Sequence, residues 1–479
     1  MKHRRSYSAF VGLFLVLAVL ATGSGRASEG PADSEITGWV QQQLGQDPRI
    51  GPGKVEVSTR SGVVTLGGTI PTLAGKRYAD AESKKIRGVR GVINEIIVMP
   101  VQRTDKQISQ DVLRRFRNSA DLNQATVSAE SVEGKVLLSG KVDSWTKREE
   151  AESLASEVRG VRQVVNEVRI QYKEQRKDGE IEADVTSAIQ RDVYLVGLPI
   201  KISAAGGKVT LAGSVASPYE KNRASFDALS VSGVKNVDNR LEVLGRRTNT
   251  HERTSRPSDD EIKRSVHEEL SQDLRMVSPY ELEVEVVNGD VTLRGLSWSL
   301  YERRLAVEDA SDVVGVGRVV DLLTVYPELR DDRAVLEDIQ YEMGLDSVLN
   351  PQTLSVQVAG GIVTLTGKAA ALYEKHHAER IASRVRGVKD VINEIQVKAA
   401  PMFPDEALRD EVKRRLEANI LTGPVAGRIS VKVENGRTTL LGQVDTWAQF
   451  REAGRVALLS RGVRSVDNQL NLPVRDSMQ

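Results

Sequence analysis

The chain has 479 residues, with 67 Lys and Arg against 66 Asp and Glu, and no cysteine. A formal charge of +1 supplies no global attraction to nucleic acid. The lack of cysteine excludes disulfides, thiolate metal sites and thiol nucleophiles.

Lys2, Arg4 and Arg5 precede an apolar-or-glycine run from Ala9 to Ala21, followed by Gly25-Arg26-Ala27. The run is shorter than the roughly 20 residues needed to span a bilayer. It fits the apolar region of a secretory signal, so residues 1–27 read as a cleaved signal peptide. An exported chain without disulfides, and without a cysteine to lipidate, fits the periplasm of a Gram-negative bacterium.

From residue 33 one skeleton recurs six times: a glycine, a second six residues on, a third twenty further, then Asn or Asp six beyond. The positions are Gly62, Gly68, Gly88 and Asn94; Gly134, Gly140, Gly160 and Asn166; Gly207, Gly213, Gly233 and Asn239. They continue as Gly289, Gly295, Gly315 and Asp321; Gly361, Gly367, Gly387 and Asn393; Gly436, Gly442, Gly462 and Asn468. A fixed period of this length means a small module repeated, not one large enzyme core. The units span 33–100, 105–173, 177–245, 258–327, 331–400 and 405–475, with a polar linker at 246–257 predicted to be flexible and to separate two three-module halves.

Each unit opens with an amphipathic helix whose apolar anchors fall at i, i+4 and i+8, as in Ile36/Val40/Leu44 and Ile108/Val112/Phe116. Ser34, Asp105, Ser258 and Asp405 are its expected N-caps. Two short strands follow, joined at the first glycine by a tight turn and closed by the second. A second helix, striped by Ala151, Leu154, Ala155 and Val158 in the second unit, ends at the third glycine with Val next. A last strand such as Val164–Ile170 completes αββαβ, an α+β module with a three-stranded sheet and two helices on one face.

These residues, the Gly…Leu-x-Gly strand pair, the twenty-residue gap and the Gly-Val-x-x-Val-x-Asn tail, resemble the BON domain family. The resemblance covers six tandem copies. It implies a non-enzymatic protein of envelope maintenance or osmotic-stress protection, associated with phospholipid, in which the first helix of a module contacts anionic lipid.

Six residues suit that role: Arg114, Arg115 and Arg117 around Phe116, and Lys413, Arg414 and Arg415 beside Leu416. Each near-surface cation is worth about 1 kcal/mol on an anionic membrane. Asp111–Arg115 and Glu411–Arg415 at i,i+4 offer instead a solvated, ion-paired helix. Trp145 and Trp447, at the start of second helices, are candidate interface residues, either membrane anchors or staples between modules. The partners expected are therefore an anionic phospholipid surface or, alternatively, envelope proteins bound by a scaffold through its Trp and Tyr positions or strand edges. The glycines do not form a phosphate loop, because Val142 follows Gly140-Lys141 where Ser or Thr is required. They are read as structural turns. The repeated Asn is read as an inward amide satisfied by backbone. His376-His377 diverge on a helix and make a poor chelate. No cofactor, metal, catalytic constellation or ligand cage is expected.

Overall fold

The computed structural model describes residues 30–472, apart from 52, 120–121, 123–124, 173–175, 246–256, 274, 277–280, 327–328 and 399–402. The signal segment and nearly all of the linker lie outside the described residues. Six copies of one α+β module appear in tandem. In each, the second strand is the centre of the sheet, antiparallel to the first and parallel to the last. The second helix makes the crossover between the two parallel strands. In modules 1, 2 and 5 the last strand runs in two short pieces, for example Gln163–Asn166 and Arg169–Ile170, and in modules 3, 4 and 6 it is continuous.

The anchors of every first helix are buried, and each module closes its own apolar core over one sheet face. The second glycine is forced by the strand pair. At Gly140 φ is +125°, and a Cβ would lie 2.0 Å from the Thr126 carbonyl oxygen. At Gly68 the same contact, to Lys54, is 1.9 Å. The repeated amide bridges the last strand to the second helix. Asn239 Nδ2 donates to the Lys221 carbonyl at 2.7 Å, and its Oδ1 accepts from Leu241 N at 3.1 Å. In module 4 Asp321 cannot donate, and Arg303 Nε donates to it instead at 2.8 Å.

The expected N-caps need correction. Ser258 is a cap, but Ser34 lies inside a helix that starts at Asp33. Asp105 and Asp405 occupy the first helical position, behind Thr104 and Pro404. The reason is a clamp made six times. The first-position aspartate of each first helix accepts two backbone N–H bonds from the hairpin turn across the module. Asp105 holds Glu133 and Gly134 at 2.8 and 2.9 Å. Asp178 holds Gly206 and Gly207 at 2.8 and 2.9 Å, and Asp332 holds Gly360 and Gly361 at 2.7 and 2.9 Å. Asp33, Asp259 and Asp405 do the same. Helix start and turn are thus fixed to each other by one carboxylate.

The modules are not beads on a string. The first residue of several second helices packs on the next module: Leu73 of module 1 against the core of module 2, Leu300 of module 4 on that of module 5, and Leu372 of module 5 on that of module 6. Modules 1 and 3 meet where Lys85 lies 4.9 Å over the Tyr219 ring, and modules 4 and 6 where Arg451 reaches Asp312. Modules 1–3 and 4–6 therefore form two triangular layers. The layers face each other in pairs 1–6, 2–5 and 3–4, through antiparallel backbone bridges between the end of one module's first helix and the end of its partner's second. Ile420 N donates to Lys85 O and Arg87 N to Ala418 O, both at 2.8 Å; Val193 N and Asp312 O, and Val314 N and Arg191 O, repeat the arrangement at 2.9 and 2.7 Å. In the 2–5 pair both possible bridges form, Ser119 to Val385 and Val158 to Asp346. Helices occupy the space between layers, and the sheets face outward. The expected separation of two halves is thus replaced by face-to-face packing.

Backbone N–H groups hold the carboxyls of Asp105, Asp178 and Asp332 below their ordinary value. A depressed folded value adds stability that is present above the unfolded pKa of about 4 and is lost as pH falls through the lower folded value. Scanning calorimetry is expected to show the melting temperature dropping on acidification below about pH 4. Asp105→Asn, Asp178→Asn and Asp332→Asn combined should lower it at pH 7 and flatten the acid limb. Gly140→Ala should cost more than about 1 kcal/mol in urea unfolding, because the added Cβ meets backbone.

Candidate functional site

The six candidate cations have three different fates. Arg115 sits on the first helix of module 2 (Asp105–Asn118) and is buried at the contact with module 5. Its guanidinium lies 3.3 Å from Glu157, 3.2 Å from Glu342 and 3.8 Å from Asp346. Burial pushes the Glu342 carboxyl up, and the Arg115 charge works against that shift. Arg415, on the first helix of module 6 (Asp405–Ala418), is among the largest fully buried side chains. It donates to Gln43 of module 1 at 2.9 Å, and to the Leu459 carbonyl and Ser460 hydroxyl at 2.8 Å. Neither residue faces solvent, so neither is placed to meet a membrane in this fold. Arg114 is intermediate: its guanidinium lies 3.4 Å over the Tyr341 ring of module 5 and 3.5 Å from Asp338. Arg117, Lys413 and Arg414 are exposed, and Arg414 pairs with Glu411 at 2.9 Å.

The aromatic candidates also serve contacts between modules. Trp145 meets Phe226 of module 3 edge-on at 5.3 Å, which is the staple reading. The side chain of Trp447 lies outside the described residues. Tyr219, Tyr301 and Tyr373 carry cations from other modules over their rings: Lys85, Arg384 and Arg49. His377 is buried, 2.9 Å from Asp346 and 2.6 Å from Arg380, and is taken up by structure. Among the described residues no cluster of His, Asp or Glu is arranged to hold a metal ion. None of their helices is long and apolar enough to cross a membrane.

Sequence reasoning missed the outward sheet faces. On module 4, Leu296, Trp298, Leu322 and Tyr326 are 44–62% exposed. Arg294 opposes Leu322 and Leu296 opposes Thr324 in the parallel ladder, so the two leucines are diagonal neighbours on the outer face. Trp298 and Tyr326 extend the row, meeting edge-on at 6.3 Å. Module 1 exposes Ile93 and Ile97 on the corresponding strand and Met99 just beyond it, and module 5 exposes Ile362 and Ile392. The available signal was parity: Leu322 stands where the other modules carry a polar or charged residue directly after the repeated Asn or Asp.

The family model described as "BON domain" matches residues 32–100, 104–172, 177–245, 258–327, 331–399 and 404–473. The chain belongs to the BON domain family. Osmotically-inducible protein Y of Escherichia coli K12 is 28% identical over 29% of this chain and 72% of its own length. The outer membrane lipoprotein DolP of Haemophilus influenzae is 28% identical over 31% of this chain and 81% of its own. The 21 kDa hemolysin of Actinobacillus pleuropneumoniae is 28% identical over 29% and 74%. These relatives connect the BON array with proteins of the cell envelope and of osmotic stress.

Because Arg115 faces three carboxyl groups in a buried contact, Arg115→Ala is expected to cost about 3–5 kcal/mol. Arg117→Ala, on the exposed face of the same helix, should stay within about 0.5 kcal/mol. Equilibrium urea unfolding of the two variants checks the contrast. Equal effects would contradict the placement of Arg115.

Proposed function

We propose that this BON protein is a non-enzymatic component of the bacterial envelope, exported to the periplasm, that works as a rigid interaction scaffold. The observation that carries this reading is the apolar outer face of module 4, where Leu296, Trp298, Leu322 and Tyr326 form one contiguous row on a sheet already packed on its other side. Contiguous exposed apolar side chains centred on aromatic residues mark contact surfaces. The contact faces of the first helices, with Arg115 and Arg415, are turned inward. The likeness to an outer membrane lipoprotein and an osmotically inducible protein supports the compartment and the stress context.

A second reading is peripheral attachment to anionic phospholipid. It is favoured by the exposure of Arg117, Lys413 and Arg414 on first helices. Three screened cations give only about 3 kcal/mol, so this attachment is weak and salt-sensitive.

Photo-crosslinking in intact cells from position 298 or 326 is expected to give discrete protein adducts, absent from a probe at the exposed position Arg333 of the same chain. With the probe at 298, Leu322→Ala with Tyr326→Ala should abolish them without lowering thermal stability by more than a few degrees. Co-sedimentation with phosphatidylglycerol-rich and neutral vesicles tests the second reading. Binding to the anionic vesicles alone, lost at high salt and in Arg117→Gln/Lys413→Gln/Arg414→Gln, together with no adducts from 298, would replace the scaffold by a lipid-binding protein.

A further inference from the structure

The seams share one backbone arrangement, but the charges that seal them differ. At the 3–4 seam, bridge and charges come from the same residues. Val193 N donates to the Asp312 carbonyl at 2.9 Å, and Val314 N to the Arg191 carbonyl at 2.7 Å. The side chains of Arg191, Asp192 and Asp312 are buried beside those bonds.

Carboxyls outnumber cations there. Asp192 and Asp227 come from module 3, and Asp273, Asp309 and Asp312 from module 4, with Glu269 at the edge. Against these stand Arg191 and Arg223 of module 3, Arg275 of module 4 and Arg451 of module 6. Each guanidinium is already committed. Arg223 lies 2.6 Å from Asp192 and 2.8 Å from Asp312, and Arg451 also reaches Asp312. Arg191 holds Glu269 and Arg275 holds Asp273, both at 2.5 Å. Nearer solvent, Glu268 and Glu308 add negative charge 3.6 Å from Arg191 and 3.7 Å from Arg451. The phenols of Tyr194, Tyr219 and Tyr301, with Glu452 of module 6, complete the surroundings.

The surplus is balanced by protons. Asp309 and Asp273 are hydrogen-bonded through their carboxyl groups, which two ionised carboxylates cannot do. The Asp227 Oδ2 is buried and accepts no hydrogen bond, an arrangement far less costly for a neutral carboxyl than for an ion. Burial and the neighbouring carboxyls push Asp227 and Asp309 well above their ordinary value. Burial, opposed by Arg223, pushes Asp192 up to about 6. A carboxyl raised in the closed seam and ordinary in the open one stabilises closure fully below about pH 4. That contribution is lost as pH climbs through the raised value, near 6 for Asp192.

The 1–6 seam has the opposite balance. Arg455 lies 2.8 Å from Glu82 and 2.6 Å from Glu452, and Arg49 lies 2.8 Å from Glu82. Burial raises both glutamates, but these cations outweigh it and hold Glu82 well below its ordinary value and Glu452 at about 2. Burial lowers Lys85, so it too favours closure as pH climbs.

We propose that the seam between modules 3 and 4 is a proton-held latch, closed by neutral carboxyls from both modules, which opens as pH rises while the 1–6 seam stays shut. The latch is independent of the module 4 sheet face.

The test is amide hydrogen exchange of the chain from residue 28 between pH 5 and pH 8, corrected for the intrinsic pH dependence of exchange. Peptides covering Val193 and Val314 report the 3–4 seam, and those covering Arg87 and Ile420 report the 1–6 seam. Protection at the 3–4 seam is expected to fall about tenfold or more, since one proton released across one pH unit is a factor of ten. Protection at the 1–6 seam is expected to hold. In Asp227→Asn with Asp309→Asn the 3–4 profile should flatten. If that double variant does not fold, Asp309→Asn alone, whose amide can still donate to Asp273, should reduce the slope. A flat profile at Val193 and Val314 in the unaltered chain would overturn the proposal. An equal loss at Arg87 and Ile420, or a slope unchanged in the variants, would also overturn it.

Discussion

The structure depends on one contact, the seam between the end of a first helix in one module and the end of a second helix in its partner. Helix C-termini leave carbonyl groups without intrahelical donors. Here the partner's chain supplies those donors: Arg87 N reaches Ala418 O, Val314 N reaches Arg191 O, and Arg159 N reaches Leu345 O. The seam is then sealed by charges that have left water, Arg415 in the 1–6 pair, Arg115 in the 2–5 pair, and Arg191 with Arg223 in the 3–4 pair. Removing either partner of such a contact leaves the other buried and unpaired, which makes the pairing specific as well as adhesive.

This explains how modules of roughly 70 residues, near the lower limit for an independent core, make a stable body. Each hands apolar surface to its neighbours. Leu73, Leu300 and Leu372 fill the next core in the chain, while Ile420, Leu421 and Ala448 of module 6 enter the core of module 3. Closing six modules through their helices leaves the sheets as the outer surface. The consequences for function come from that inversion. Cations at the seams, such as Arg115 and Arg415, become structural, and the outer sheet faces become available surface.

Much of the module was legible in the sequence because its determinants are local. Fixed glycine spacing gave the strand pair and the helix stop, and anchors at i, i+4 and i+8 gave the buried face of each first helix, down to Phe116 and Leu416. The repeated Asn was correctly taken as structural, as the bonds of Asn239 bear out. The clamp was present but unread. An aspartate lies 29 residues before the first glycine in modules 1, 2, 3 and 5, as with Asp33 and Gly62. Asp105 and Asp405 read as helix caps because capping is the commoner use of that residue there, and Asp33, Asp178 and Asp332 carry no reading at all. Arg115 and Arg415 were misjudged for a different reason. Helical periodicity reports only burial within a module, and Glu342 and Gln43, which surround them, lie hundreds of positions away in the chain.

Small-angle X-ray scattering of the chain from residue 28 tests the pairing most directly. Two layers packed face to face have the radius of gyration of a single compact body of this length, about 22 Å. Six modules strung end to end would give a value near twice that. A measurement close to about 22 Å supports the paired assembly; the larger value would mean that the seams do not form in solution and that the helix faces, with Arg115 and Arg415, are open to solvent after all.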